Sequence, residues 1–147
     1  MLVIVIGCGR VGSTLVRQLL NAGQEVVVVD DDPLRLESIQ DLDCIQVVGL
    51  PIDLDVLRKA GIEAADALCA CSSSENVNIM VAEIAVQIFG VEQVYLRSFN
   101  PANTDSLRRM GLGVISGTEL IVNGFCEALA LPKMSNNPNP APKEDDL

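Results

Sequence analysis

The sequence predicts an α/β fold, a doubly wound parallel sheet with helices on both faces. Short runs rich in Val and Ile alternate with segments of helical period along most of the chain, the pattern of repeated strand–helix–strand units. The apolar runs are continuous, as in strands covered on both faces. Gly and Pro punctuate the helix ends. A length of 147 residues suits one domain with a real core.

Residues 2–6 open the fold as an unbroken apolar strand. Val11, Leu15, Leu19 and Ala22 then share one side of a helix over 11–22, which Gly23 stops. Residues 26–29 form a second strand, and Pro33 suits the first turn of a helix running to about Gln40. A third strand at 44–48 precedes a short helix at 53–60, ended by Gly61. The fourth strand, 67–71, leads into a long helix over 75–89 that Gly90 closes. Strand five at 94–97, a helix at 101–110 and strand six at 112–115 follow, and 118–131 reads as a last helix, apolar around much of its surface. Right-handed crossovers give these strands the Rossmann-like order 3-2-1-4-5-6. The domain is thus expected to span 1–131. Residues 132–147, with Pro132, Asn136, Asn137, Pro138, Asn139, Pro140 and Pro142 before an acidic end, read as a flexible tail.

Composition excludes several classes of function. Ten basic against twenty acidic residues leave a formal charge of −10, a field that repels nucleic-acid backbones and anionic lipid. No nucleic-acid partner is expected. No apolar run approaches the ~20 residues of a membrane span, and the first six residues are too short for a signal-peptide core. A cytoplasmic location is expected, at a membrane only through a partner. The five cysteines, Cys8, Cys44, Cys69, Cys71 and Cys126, are an odd number and read as free thiols. Cys69 and Cys71 share one strand face and act as small core hydrophobes. With no His in the chain, no metal site is expected.

The strongest local signal is Gly7-Cys-Gly9-Arg-Val-Gly12, directly after strand one and opening helix one. Gly7 permits a tight turn, Gly9 lets backbone approach a pyrophosphate, and Gly12 lets the helix pack close to the sheet. Unpaired amides at the helix start then hold phosphate. All six loop residues, Cys8 and Val11 included, are candidate contacts. Asp30 ends strand two, eighteen residues after Gly12, where a carboxylate can accept both ribose hydroxyls of an adenosine. Asp31 and Asp32 add negative charge beside it, which disfavours the 2′-phosphate of NADP. Arg10 can reach a phosphate oxygen with two parallel bonds; a surface ion pair is the alternative.

Ser72-Ser-Ser-Glu75 lies just past strand four, at the carboxyl edge where open sheets bind ligands. Ser72 contacts a ligand or forms an S-x-x-E capping box with Glu75. Asn78 is similarly open between ligand contact and structure. Arg97 ends strand five and faces the same crevice or pairs with a core acid.

Together these segments resemble the KTN, or RCK N-terminal (TrkA-N), domain. Gly7-x-Gly-Arg-x-Gly12, Val-Val-Asp30-x-Asp-Pro33, Leu57-Arg-Lys-Ala-Gly-Ile62, Ala65-Asp-Ala67, Glu75-x-x-Asn78, Arg97-x-x-Asn-Pro101 and Leu107-Arg-Arg-Met-Gly111 fall in that family's order over residues 1 to about 130. The resemblance implies NAD or NADH, ATP, ADP or AMP at the loop and the Asp30 end of strand two. It also implies a homodimer that assembles into a ring beneath a membrane potassium-translocating subunit. Arg10 matches the family arginine that contacts phosphate, and Glu119 matches an acidic position near the final crossover helix. There are two departures. Gly49-Leu-Pro-Ile52 stands where the family commonly has Gly-Asp, so adenine loses a carboxylate, and Gly49 and Leu50 are left as candidate contacts. No C-terminal ligand domain follows the last helix, which implies a one-domain subunit or a fragment.

Three functions are weighed. The first is a non-enzymatic regulatory subunit of potassium transport, its last helix packing on a second copy. The second is a free-standing redox or energy sensor using the same site. The third, an NAD-dependent oxidoreductase fragment, lacks a substrate domain and an acid/base group, since the single Tyr95 falls within a strand.

Overall fold

A computed structural model describes residues 1–135 and 137–141. Six strands, β1 (Leu2–Ile6), β2 (Glu25–Asp30), β3 (Ile45–Val48), β4 (Ala67–Ala70), β5 (Gln93–Ser98) and β6 (Gly113–Ser116), form one sheet ordered β3-β2-β1-β4-β5-β6. Every pairing is parallel. This is the doubly wound order that the alternating pattern predicts. Helices α1 (Arg10–Asn21), α2 (Pro33–Leu36), α3 (Leu54–Lys59), α4 (Glu75–Gln87), α5 (Thr104–Arg109) and α6 (Gly117–Ala128) fill the connections.

The β-branched strands bury both faces. On one, Ile4, Ile6, Val29 and Leu68 pack against Leu57 of α3, Val81 of α4 and Leu107 of α5. On the other, Val3, Val5 and Val28 meet Val16 of α1, Leu36 of α2 and Ile39. Each fully buried leucine here contributes ~1.5–3 kcal/mol. The winding reverses between β1 and β4, since β1 pairs with β2 on one side and β4 on the other. A crevice opens at their carboxyl ends, as the reversal requires. The second face is covered unevenly. Over β4, β5 and β6 it leaves a groove of about 510 Å³ bordered by Val11, Leu15, Cys69, Tyr95, Ile115 and Leu120.

Several boundaries differ from expectation. The helix expected to reach Gln40 stops at Leu36 and continues as a 3-10 turn, Glu37–Ile39, tightened by 3-10 bonding such as Gln40 N–H to the Glu37 carbonyl. The helix expected at 101–110 likewise opens as a 3-10 turn, Pro101–Asn103, capped by the Asn100 side chain. The last helix ends at Ala128, and Ala130 adopts φ 54°. The tail expected to be flexible is docked over its described part. Pro138 accepts from Val114 N–H at 2.8 Å, on the free edge of β6, and Ala141 N–H reaches the Arg108 carbonyl at 3.1 Å. Asn136 and residues 142–147 lie outside the described residues.

Candidate functional site

The glycine loop is built by close approach. Gly7 has φ 91°, and a Cβ there would lie 2.8 Å from Ser72 Cα. A Cβ on Gly12 would collide with the Gly7 carbonyl, so only hydrogen lets α1 sit this near the turn. Gly9 differs, for a Cβ there meets nothing within 4 Å. It borders the crevice and caps α1 without a side-chain bond. The first amides of α1 therefore face open space, the condition for holding an anion. These features fit a nucleotide phosphate.

Two adjoining clefts share Gly7, Asp30, Arg35, Ser72 and Ser73. The first, about 190 Å³, is walled by Leu50, Pro51, Ile52 and Val77. It offers apolar surface for a base, in keeping with the missing carboxylate. The second, about 300 Å³, includes Gly9, Arg10, Val11 and Arg97. Arg10 is exposed and has no carboxylate within 4.0 Å among the described residues.

Asp30 lies between the clefts, only 4% exposed. Its Oδ2 accepts from Cys8 N–H at 2.8 Å, and its Oδ1 from Asp32 N–H at 2.9 Å and Arg35 at 3.2 Å. Oδ1 is thus saturated, and one lone pair on Oδ2 remains. The expectation that Asp30 takes both ribose hydroxyls is corrected: it has room for one while Arg35 stays in place. Arg35 went unrecognised in the sequence, although its spacing from Asp31 and Asp32 is that of helical ion pairs. It lies 3.7 Å from Asp31 and 4.0 Å from Asp32, so it offsets part of the negative field there. Asp31 borders the first cleft.

Other expected contacts move to structural roles. Cys8 is buried with its amide on Asp30 and its thiol beside Ser38, and it borders neither cleft. Gly12 packs inward. Gly49 is also off the cleft; its amide holds the Asp30 carbonyl at 3.0 Å, and a Cβ would press Val56. Asn78 is fully buried. Its Oδ1 accepts from Ser72 N–H and Oγ, and its Nδ2 donates to the Ser72 and Arg97 carbonyls. All four capacities are used, so Asn78 ties β4 to β5 and has none left for a ligand. The expected Ser72–Glu75 capping box is absent. Ser74 caps α4 instead, while Glu75 accepts from Ser98 Oγ and Phe99 N–H. Those bonds, the Ser98 hydroxyl first, hold the Glu75 carboxyl below its usual range.

Four of the thiols are held in their protonated form, which is a poor nucleophile. Burial pushes Cys71 up to about 12 and raises Cys8, Cys44 and Cys69. Among the described residues no three His, Cys, Asp or Glu side chains gather to hold a metal, and no helix is long and apolar enough to cross a membrane.

Residues 3–117 match the TrkA-N domain family. Over 115 residues the chain is 38% identical to the Trk system potassium uptake protein TrkA of Streptomyces coelicolor, covering 78% of this chain and 52% of that protein. The chain thus spans about half the length of this relative. Three solved structures share the fold. The TrkA-N domain of inner membrane protein ybaL from Escherichia coli has TM-score 0.79 at 20% identity, covering 86% of this chain and 95% of that one. The Kef C-terminal domain of Shewanella denitrificans in AMP-bound form has TM-score 0.77 at 22%, covering 88% and 80%. The GsuK channel bound to NAD has TM-score 0.69 at 20%, covering 84% and 22%.

Proposed function

The chain belongs to the TrkA-N domain family, and from that premise we propose that it is a nucleotide-sensing regulatory domain of a potassium-transport system. The observation that carries this is the paired cleft. Open space at Gly9 faces the start of α1, with Arg10 and Arg97 at one end and the Leu50–Ile52 wall at the other. A ligand with a phosphate, a ribose and an apolar base matches that order of surfaces. NAD or NADH, ATP, ADP and AMP all qualify. AMP and NAD in two proteins of this fold support the choice, and the three aspartates around one arginine keep NADP disfavoured. The domain works at the cytoplasmic face of a membrane subunit, as a homodimer within a ring. We read its role as binding rather than catalysis, in keeping with the one tyrosine, whose hydroxyl donates to Asn139 and which borders neither cleft. Nucleotide then regulates by binding one arrangement of copies better than another.

Calorimetric titration with AMP, ADP, ATP, NAD, NADH and NADP tests the reading. Binding of the first five is expected, with NADP weakest. Asp30→Ala should weaken each by ~10-fold or more, as loss of a hydrogen bond to a charged group does. No heat with any of the six overturns it.

A further inference from the structure

Arg97 lies on the wall between two cavities. It borders the phosphate cleft with Gly9 and Arg10, and also the apolar groove over β4, β5 and β6. Among the described residues it is the only charged one bordering that groove. Its guanidinium carbon sits 4.4 Å from the centre of the Phe99 ring. Among the described residues no carboxylate lies within 4.0 Å of it. The Phe99 carbonyl in turn accepts from Thr118 Oγ1 at 2.8 Å, at the start of α6.

The groove fits a second copy of this chain. Leu120 borders it and begins an exposed apolar stripe on α6 that continues through Ile121, Phe125 and Leu129. In a two-fold pair each stripe lies over the other's groove, so both apolar surfaces are covered at once. Such covering strips water from Arg97. Burying an unpaired guanidinium is costly, which opposes association. A phosphate in the adjoining cleft supplies the missing counter-charge through charge-assisted bonds.

Resting on the nucleotide-binding and homodimer readings above, we propose that Arg97 couples the two events: a phosphate-bearing nucleotide pairs its charge and thereby permits the second copy to close over the groove. Each ligand then strengthens the other by the same factor. The sign follows from the desolvation argument, with nucleotide favouring association.

Sedimentation of the full chain, alone and with ADP or unphosphorylated adenosine at saturation set by calorimetry, tests this. ADP should tighten self-association ~10-fold, within the usual range of coupling, and adenosine should leave it unchanged. Arg97→Met and Arg97→Gln, which remove the charge, should associate without ligand about as tightly as the parent with ADP, and ADP should then add nothing. Arg97→Lys, which keeps the charge, should retain the response. Charge-removed variants that associate more weakly, or still tighten with ADP, overturn the proposal. So does a parent that binds ADP without any change in association, which leaves the nucleotide reading standing. Absence of ADP binding removes both, and a strict monomer at every concentration removes the homodimer reading together with the coupling.

Discussion

Helices α4 and α6 are 13 and 12 residues long. Both follow strands of the same sheet and both begin at a serine cap. They face opposite ways. Helix α4 turns Val81, Ala82 and Ala85 inward and pins its one buried polar residue, Asn78, in four hydrogen bonds. Helix α6 turns Glu119 and Asn123 inward, leaving Ile121 65% and Phe125 67% exposed. A helix contributes to its own domain through the side it buries. Helix α4 is therefore core, whereas the apolar side of α6 is an exposed surface on this chain.

Three substitutions and one truncation break or sharpen that contrast. The largest effect is expected from Val81→Asp in α4, which puts an unpaired carboxylate in a fully buried site. It should cost ~4 kcal/mol or leave no folded domain, read by urea unfolding. Next comes Phe125→Asp in α6. Unfolding should stay within ~0.5 kcal/mol of the parent, while self-association weakens ~30-fold or more, as for a central interface anchor. A loss of monomer stability like that of Val81→Asp would place the stripe in this chain's own core.

Ending the chain after Leu131 is a smaller perturbation. Asn123 is buried and exchanges two bonds with the Met134 backbone, 2.7 and 3.3 Å long. Truncation exposes or orphans those groups and the Val114 amide, at ~1–3 kcal/mol. Unchanged denaturation would mean that the tail does not support the inner side of α6.

The smallest effect concerns pH. Glu75 sits below its usual carboxyl range in the folded chain, so its contribution is full above the unfolded value and lost as pH falls through the folded one. Glu75→Gln should flatten the melting temperature between roughly pH 5 and 3. A profile that keeps the parent's slope would assign acid sensitivity to other carboxylates.

Much of the domain is legible in the sequence. Leu2–Ile6, the glycine loop and Asp30 announce themselves through short-range regularities: a continuous apolar run, a turn only glycine allows, an acid at a strand end. The excess apolar surface of α6 is also legible, as a stretch with too many large hydrophobes for one sheet face. The site residues divide less cleanly. Arg10, Leu50, Ser72 and Arg97 border the clefts as expected, yet Asn78, Cys8 and Gly49 turn out to be spent on the scaffold. Nothing in their spacing distinguishes a polar group facing a ligand from one facing a carbonyl.

The sequence by itself determined the strand order, the helix-start cradle and the sign of the surface charge, because periodicity, backbone permissiveness and charge belong to neighbouring residues or to the whole count. Tertiary structure alone decided that Asn78 is saturated, that Arg35 occupies half of Asp30, that Met134 satisfies Asn123, and that Arg97 lies between two cavities. Hydrogen bonds and ion pairs act over about 3 Å, and which groups come that close is settled only when crossovers bring distant segments to one sheet edge.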